Sequence, residues 1–145
     1  MGLKWASMTG YAILVLVLLG LIARNSILAN SPAAIAAQVL AGLLMVWARM
    51  TFGWRSFHAS ANPTEGGLVT TGPYRYLRHP IYAAILLFLA AAALSHLSLA
   101  NILLALAACA AVALRMIAEE RLLAERYPDY AAYAARTKRI IPFVL

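Results

Sequence analysis

The chain has 145 residues, of which 64% are hydrophobic and 12% charged, with a formal net charge of +7 and a mean hydropathy of +0.80. Water-soluble domains carry about twice that share of charged residues, so the composition excludes an ordinary soluble fold. The length suits a single domain, and the basic excess does not mark a nucleic-acid binder, because no interleaved aromatic and basic residues on a polar surface accompany it.

Residues 5–23 contain no charge. At about 1.5 Å of helix per residue such a stretch crosses a hydrocarbon core roughly 30 Å thick, which makes it the first predicted span. Lys4 ahead of an apolar run resembles a signal peptide, but Arg24-Asn25-Ser26 offers no small-x-small cleavage pattern, so the segment is expected to be retained. The second span covers residues 33–52. Ser31 is placed to cap it, and Pro32 to occupy the first helical position.

Residues 53–79 form a polar loop broken by Asn62-Pro63, Gly66-Gly67 and Gly72-Pro73. A loop of this length inside a compact fold tends to carry function. The third span covers residues 80–95 and the fourth 99–118. Ser95-His96-Leu97-Ser98 leaves room only for a tight turn, so the two form an antiparallel hairpin. Residues 119–145 make a C-terminal segment with a short helix. The predicted fold is therefore all-α: a polytopic integral membrane protein of four transmembrane helices, a 3–4 helical hairpin and a short C-terminal cytoplasmic helix.

Orientation follows from the basic residues. With the N-terminus cytoplasmic, that side receives Lys4, Arg49, Arg55, Arg75, Arg78, Arg115, Arg121, Arg126, Arg136, Lys138 and Arg139, and the other side only Arg24. Both termini are expected to be cytoplasmic, in a prokaryotic inner membrane, with the basic rim beside anionic headgroups. Cys109, the single cysteine, lies within an apolar span and reads as a small hydrophobe in a helix interface. The abundant alanine reads as close helix packing in lipid.

Polar residues placed against this trend are the candidates for chemistry. Arg115 and Glu119 are four apart at the end of the fourth span, on one helix face. The pair reads either as an interfacial salt bridge whose side chains snorkel to water or as a functional site, since ionisable groups at that depth are costly. Glu120 points to a neighbouring face, where solvent, Arg121 or headgroups suffice as partners. A second cluster, Gly72-Pro73-Tyr74-Arg75-Tyr76-Leu77-Arg78-His79-Pro80-Ile81-Tyr82, has a structural explanation for each member: turn, interfacial aromatics, positive-inside charges, helix start. Its density of arginine, histidine and tyrosine at the mouth of the hairpin is what a polar ligand at a membrane interface requires. His58, His79 and His96 share no ligand spacing, so no metal is expected, and His58 and His96 read as interfacial residues.

The run from Leu68-Val69-Thr70-Thr71 through Arg78-His79-Pro80-Ile81-Tyr82, followed one hairpin later by Arg115-Met116-Ile117-Ala118-Glu119-Glu120, resembles the isoprenylcysteine carboxyl methyltransferases and their relatives the phospholipid methyltransferases. Tyr127, Tyr130 and Tyr133, then Arg139-Ile140-Ile141-Pro142, resemble the closing segment of that family, so the likeness covers residues 62–143. The resemblance implies S-adenosylmethionine as cofactor and S-adenosylhomocysteine as product. The implied cofactor contacts are Leu68, Val69, Tyr74, His79, Pro80, Tyr82 and Glu119, with Arg115 facing the methyl acceptor as the catalytic residue. Such a ligand suits these groups: its cationic ammonium and sulfonium match a carboxylate and aromatic faces, and its carboxylate matches arginine or amide donors.

The implied acceptor is lipophilic: a small acid, a lipid or a lipidated peptide, with an isoprenylcysteine-like carboxylate foremost. Two spans precede the core where eukaryotic members have more; Gly66-Gly67 stand in place of larger side chains and Ala59 in place of an amide, so the acceptor does not follow from the resemblance. Two rival classes share parts of this pattern. Sterol reductases carry a similar Arg-His-Pro-x-Tyr segment and use NADPH, and a non-enzymatic membrane scaffold would need the Arg115 to Glu119 pair only as a salt bridge.

Overall fold

The structure is a computed structural model that describes residues 2–53 and 67–141. Among these residues the chain forms five α-helices: α1 Gly2–Ala23, α2 Pro32–Phe52, α3 Pro80–Ser95, α4 Leu99–Arg126 and α5 Tyr130–Arg136. A single turn of 3₁₀ helix, Gly72–Arg75, precedes α3, and the described residues contain no strand beyond an isolated bridge between Leu77 and Lys138. α1, α2 and α4 are long and apolar enough to cross a membrane, and α3 is a shorter apolar helix. This is the architecture of a polytopic membrane protein.

Local chemistry sets the helix starts. The Ser31 hydroxyl accepts from the Ala34 amide at 3.4 Å, and Pro32, which has no N–H to leave unpaired, follows it. Ser98 does the same for α4, accepting from the Asn101 amide at 3.2 Å. α4 continues eight residues past the end of the apolar run, from Glu119 to Arg126. At about 1.5 Å per residue α3 is about 24 Å long and α4 about 42 Å, so the last turns of α4 rise beside the segment that leads into α3.

The most extensive pairings are α1 along α4 and α2 along α3, and the α3–α4 hairpin joins the two pairs. Small residues make the close approaches: Ala41, Ala48, Ala84, Ala92, Ala108, Ala111 and Ala118 are all buried. Val17 and Leu21 of α1 meet Leu89 and Ala92 of α3 and Ala108 of α4 in the core. On the outside, Leu16, Leu40, Leu43, Leu103 and Leu106 are each more than half exposed, an apolar surface that matches lipid and not water. Cys109 is exposed on this outer surface and not in an interface. The inward positions of α4 are Ala108, Ala111 and Val112, and one residue step turns the cysteine about 100° away from Ala108.

The end away from the basic residues is tied by polar side chains. Arg24 donates from Nε to Asn101 Oδ1 at 2.8 Å, and His96 Nε2 bonds the Leu28 carbonyl at 2.8 Å. Gln38, buried within α2, accepts from the Ala29 amide at 2.9 Å and donates to the Ile27 carbonyl at 2.8 Å, which pins the connection between α1 and α2.

Candidate functional site

The basic end gathers the N-terminal half of α1, the C-terminus of α2, the start of α3 and the last turns of α4. The turn before α3 is held against α2 at Gly72. Its φ is +55°, and a Cβ there would run into the Thr51 side chain, so glycine answers both the backbone and the space. His79 caps α3 with its backbone alone: its carbonyl accepts from the Ala83 amide at 3.0 Å, and its side chain makes no capping bond. The imidazole is therefore available to the site.

Arg115, only 5% exposed, is held by three elements. It donates from Nη1 to the Ser7 carbonyl of α1 at 2.9 Å, from Nε to the Tyr82 hydroxyl of α3 at 2.7 Å, and from Nη2 to Glu119 Oε1 at 3.3 Å. The rings of Tyr11 and Tyr82 lie 5.5 Å and 5.6 Å from the guanidinium carbon, within cation–π range. This arginine does not snorkel: its charge stays inside the bundle because carbonyl, hydroxyl, carboxylate and two rings take the place of water. Glu119 Oε1 also accepts a short hydrogen bond from the Tyr82 hydroxyl, and its Oε2 faces His79 Nδ1 at 3.8 Å. The His79 and Tyr82 rings stack with centroids 5.6 Å apart. One partly buried carboxylate thus faces an arginine, a phenol and an imidazole.

Glu120 occupies a different position from the one its spacing predicts. It is neither solvated nor turned to Arg121; its carboxylate takes Arg78 Nε at 2.9 Å, His79 Nε2 at 3.3 Å and Arg139 Nη2 at 3.1 Å. Arg78 also donates from Nη1 to the Ala134 and Thr137 carbonyls at 2.8 Å and 2.6 Å. Backbone bonds run in parallel: the Arg78 amide to the Lys138 carbonyl at 2.6 Å, the His79 amide to the Arg139 carbonyl at 2.9 Å, and the Lys138 amide to the Tyr76 carbonyl at 3.0 Å. The segment after α5 is thereby clasped to the residues that carry the imidazole. α5 adds two aromatic anchors. Tyr133 donates to the Tyr74 carbonyl at 2.8 Å, and burial pushes the phenols of Tyr130 and Tyr133 up to about 12.

Of the residues singled out in the sequence, His79, Tyr82, Arg115 and Glu119 come into direct contact, with Pro80 buried at the first position of α3. Tyr74 is buried, with its ring 5.4 Å from that of Phe52. Leu68 and Val69 are half-buried in the irregular stretch leading to the turn. His58, Ala59, Gly66 and Pro142 lie outside the described residues. Sequence reasoning missed the contribution of α1, where Ser7, Gly10 and Tyr11 surround Arg115, and the clasp formed by Arg78, Glu120 and Arg139. The clasp had a signal, a second acid next to Glu119 and arginines on both flanks of the site; the α1 residues had none, because a serine, a glycine and a tyrosine in an apolar helix are unremarkable one by one.

Residues 27–130 match the phospholipid methyltransferase family. The chain belongs to that family, which also holds the isoprenylcysteine carboxyl methyltransferases, and its long apolar helices are those of a membrane protein. Among curated proteins it is similar to the cobalt-zinc-cadmium resistance protein CzcN of Cupriavidus metallidurans, 38% identical over 76 residues. That alignment covers 52% of this chain and 35% of CzcN, so the chain spans about a third of that relative's length. No solved structure matches it.

Proposed function

We infer that the chain transfers a methyl group from S-adenosylmethionine to a lipophilic acceptor, foremost a carboxylate of the isoprenylcysteine type, at the cytoplasmic face of a prokaryotic inner membrane. The observation that carries this reading is the Glu119 carboxylate, shared by Arg115 and Tyr82 and facing His79 at the mouth of the hairpin. These residues fit such a cofactor. A partly buried acid flanked by stacked aromatic rings favours an organic cation, and the apolar side chains of Leu68, Val69 and Pro80 suit a nucleoside.

Glu119 would hold the cationic end of the cofactor, with His79 and Tyr82 presenting ring faces, Pro80, Leu68 and Val69 forming apolar walls, and Tyr74 supporting the turn. When bound, S-adenosylmethionine supplies a methyl group on a sulfonium, which an oxygen or nitrogen lone pair takes while the sulfur keeps the electron pair of the broken bond, leaving S-adenosylhomocysteine. Arg115 would orient the acceptor carboxylate with a two-pronged hydrogen bond. A carboxylate is already ionised at neutral pH, so no residue has to remove a proton. The contribution of the protein is then position and exclusion of water, and the burial of Arg115 serves both.

The family match also brings lipid amines into view as acceptors. An amine must lose a proton, and His79, bonded through Nε2 to Glu120 and turned through Nδ1 toward Glu119, is the group placed to receive it. One pair of measurements tests the whole reading. S-adenosylhomocysteine should raise the melting temperature of the detergent-solubilised protein and NADPH should not; labelled methyl groups should pass from S-adenosylmethionine into a total lipid extract. Stabilisation by NADPH alone would point to a reductase, and stabilisation by neither to a scaffold.

A further inference from the structure

The family match begins at residue 27, so α1 lies outside it, yet α1 forms one wall of the surroundings of Arg115. Gly10 sets the approach. A Cβ at that position would sit 2.8 Å from the Ala111 carbonyl oxygen and 2.8 Å from Arg115 Cγ, so only a glycine lets the α1 backbone come this close to α4. One turn earlier the Ser7 carbonyl receives the Arg115 guanidinium. The Ser7 hydroxyl is fully buried and has no hydrogen-bond partner among the described residues, an unfavourable state for a buried polar group. Tyr11 completes the wall: its ring lies against the guanidinium while the residue is 48% exposed on the outer, lipid-facing surface.

A buried cation, a buried hydroxyl without a partner and an aromatic ring that reaches the bilayer are together what a lipid headgroup bearing an oxyanion would need. Its charge would meet Arg115, its second oxygen the serine O–H, and its first methylenes the flank of the tyrosine. We propose that α1 builds the acceptor site of this protein, with Ser7 donating to the oxyanion of the lipid acceptor and Tyr11 lining its path from the bilayer. The oxyanion is either the carboxylate that is methylated or the phosphate of a phospholipid whose amine is methylated. Acceptor selectivity then resides in α1 acting together with Arg115, and the other site residues of the family segment serve the cofactor. This inference rests on the methyltransferase reading and assigns its acceptor.

The test uses the full chain in nanodiscs, labelled S-adenosylmethionine, and two acceptor probes, N-acetyl-S-farnesylcysteine for the carboxylate and phosphatidylethanolamine for the phosphate. S-adenosylhomocysteine affinity is measured separately by calorimetry. Ser7→Ala removes no existing hydrogen bond, so it should fold normally. It should raise the KM of the preferred probe by about tenfold, the usual effect of losing a hydrogen bond to a charged group, and leave S-adenosylhomocysteine affinity unchanged. Tyr11→Leu should change the ratio of kcat/KM between the two probes. Unchanged acceptor KM and probe ratio in both variants, with normal S-adenosylhomocysteine binding, would overturn the inference and leave the methyltransferase reading standing. A wild-type chain that binds S-adenosylhomocysteine but methylates neither probe would overturn the acceptor class. Failure of the wild type to bind S-adenosylhomocysteine would remove the reading itself.

Discussion

Replacing Glu120 by alanine should release the C-terminal segment while the bundle stays folded. Arg78 and Glu120 have side chains only 12% and 15% exposed, and His79 is 5% exposed, so the substitution strands one buried cation and one buried imidazole. Removing one partner of a buried ion pair costs about 3–5 kcal/mol. Arg78 keeps two carbonyl acceptors, which reduces that figure, and Arg139, half exposed, adds about 1 kcal/mol at most. A net loss of about 2–4 kcal/mol follows, or roughly 30- to 1,000-fold in the local opening equilibrium. The amides to watch by hydrogen exchange are those of Arg78, His79 and Lys138, which bond across the clasp, with the Ser26 amide at the far end as the unaffected reference. Unchanged exchange at Lys138 in Glu120→Ala would refute the idea that this carboxylate holds the segment. Glu120→Gln, which keeps the shape and one acceptor, should give an intermediate loss.

Other expectations are as direct. Glu119→Gln should abolish the thermal stabilisation by S-adenosylhomocysteine, whereas Arg115→Ala should lose methyl transfer and keep most of that stabilisation; equal loss of both in the arginine variant would contradict the division of roles. Gln38→Leu leaves the Ala29 amide and the Ile27 carbonyl without their side-chain partner, and should lower stability by about 2 kcal/mol, read as a fall in melting temperature in detergent, without changing the KM of S-adenosylmethionine. Tyr130 and Tyr133, with folded-state values raised to about 12 from an ordinary 10, favour the folded state fully below pH 10. Their contribution should fade as pH rises from about 10 to 12, so α5 should be protected from protease at pH 9 and lose protection above pH 11. Phenolate absorbance should rise in the same window, and titration of both tyrosines near pH 10 in the folded protein would count against their burial.

How much of the site could be read in advance differs from residue to residue. Arg115 and Glu119 stood out because charge inside an apolar run needs a reason, and four residues of separation put them on one helix face. His79 and Tyr82 stood out by their crowding with arginine before a Pro-initiated helix. What spacing did not reveal is where the remaining valences of these groups go. Glu120 looked like a solvated neighbour of Glu119, because a single helix says nothing of the arginines brought to it by a segment 19 residues later and by a turn 42 residues earlier. Cys109 looked like an interface residue for the same reason: membership of an apolar span does not by itself say which of its sides meets α1.

Solvent and helical class are one-dimensional properties, and the sequence settled them alone. A run of apolar residues commits a helix to lipid, and Ser, Pro and Gly at its ends mark where it starts and stops, whatever the neighbours do. Those same properties are silent on lateral order, because in lipid no hydrophobic gain distinguishes one apolar face from another, and association rests on close fit and buried hydrogen bonds. The approach of α1 at Gly10, the capture of Arg115 by the Ser7 carbonyl and the clasping of the chain end by Glu120 are three such fits, and only the folded chain decides them.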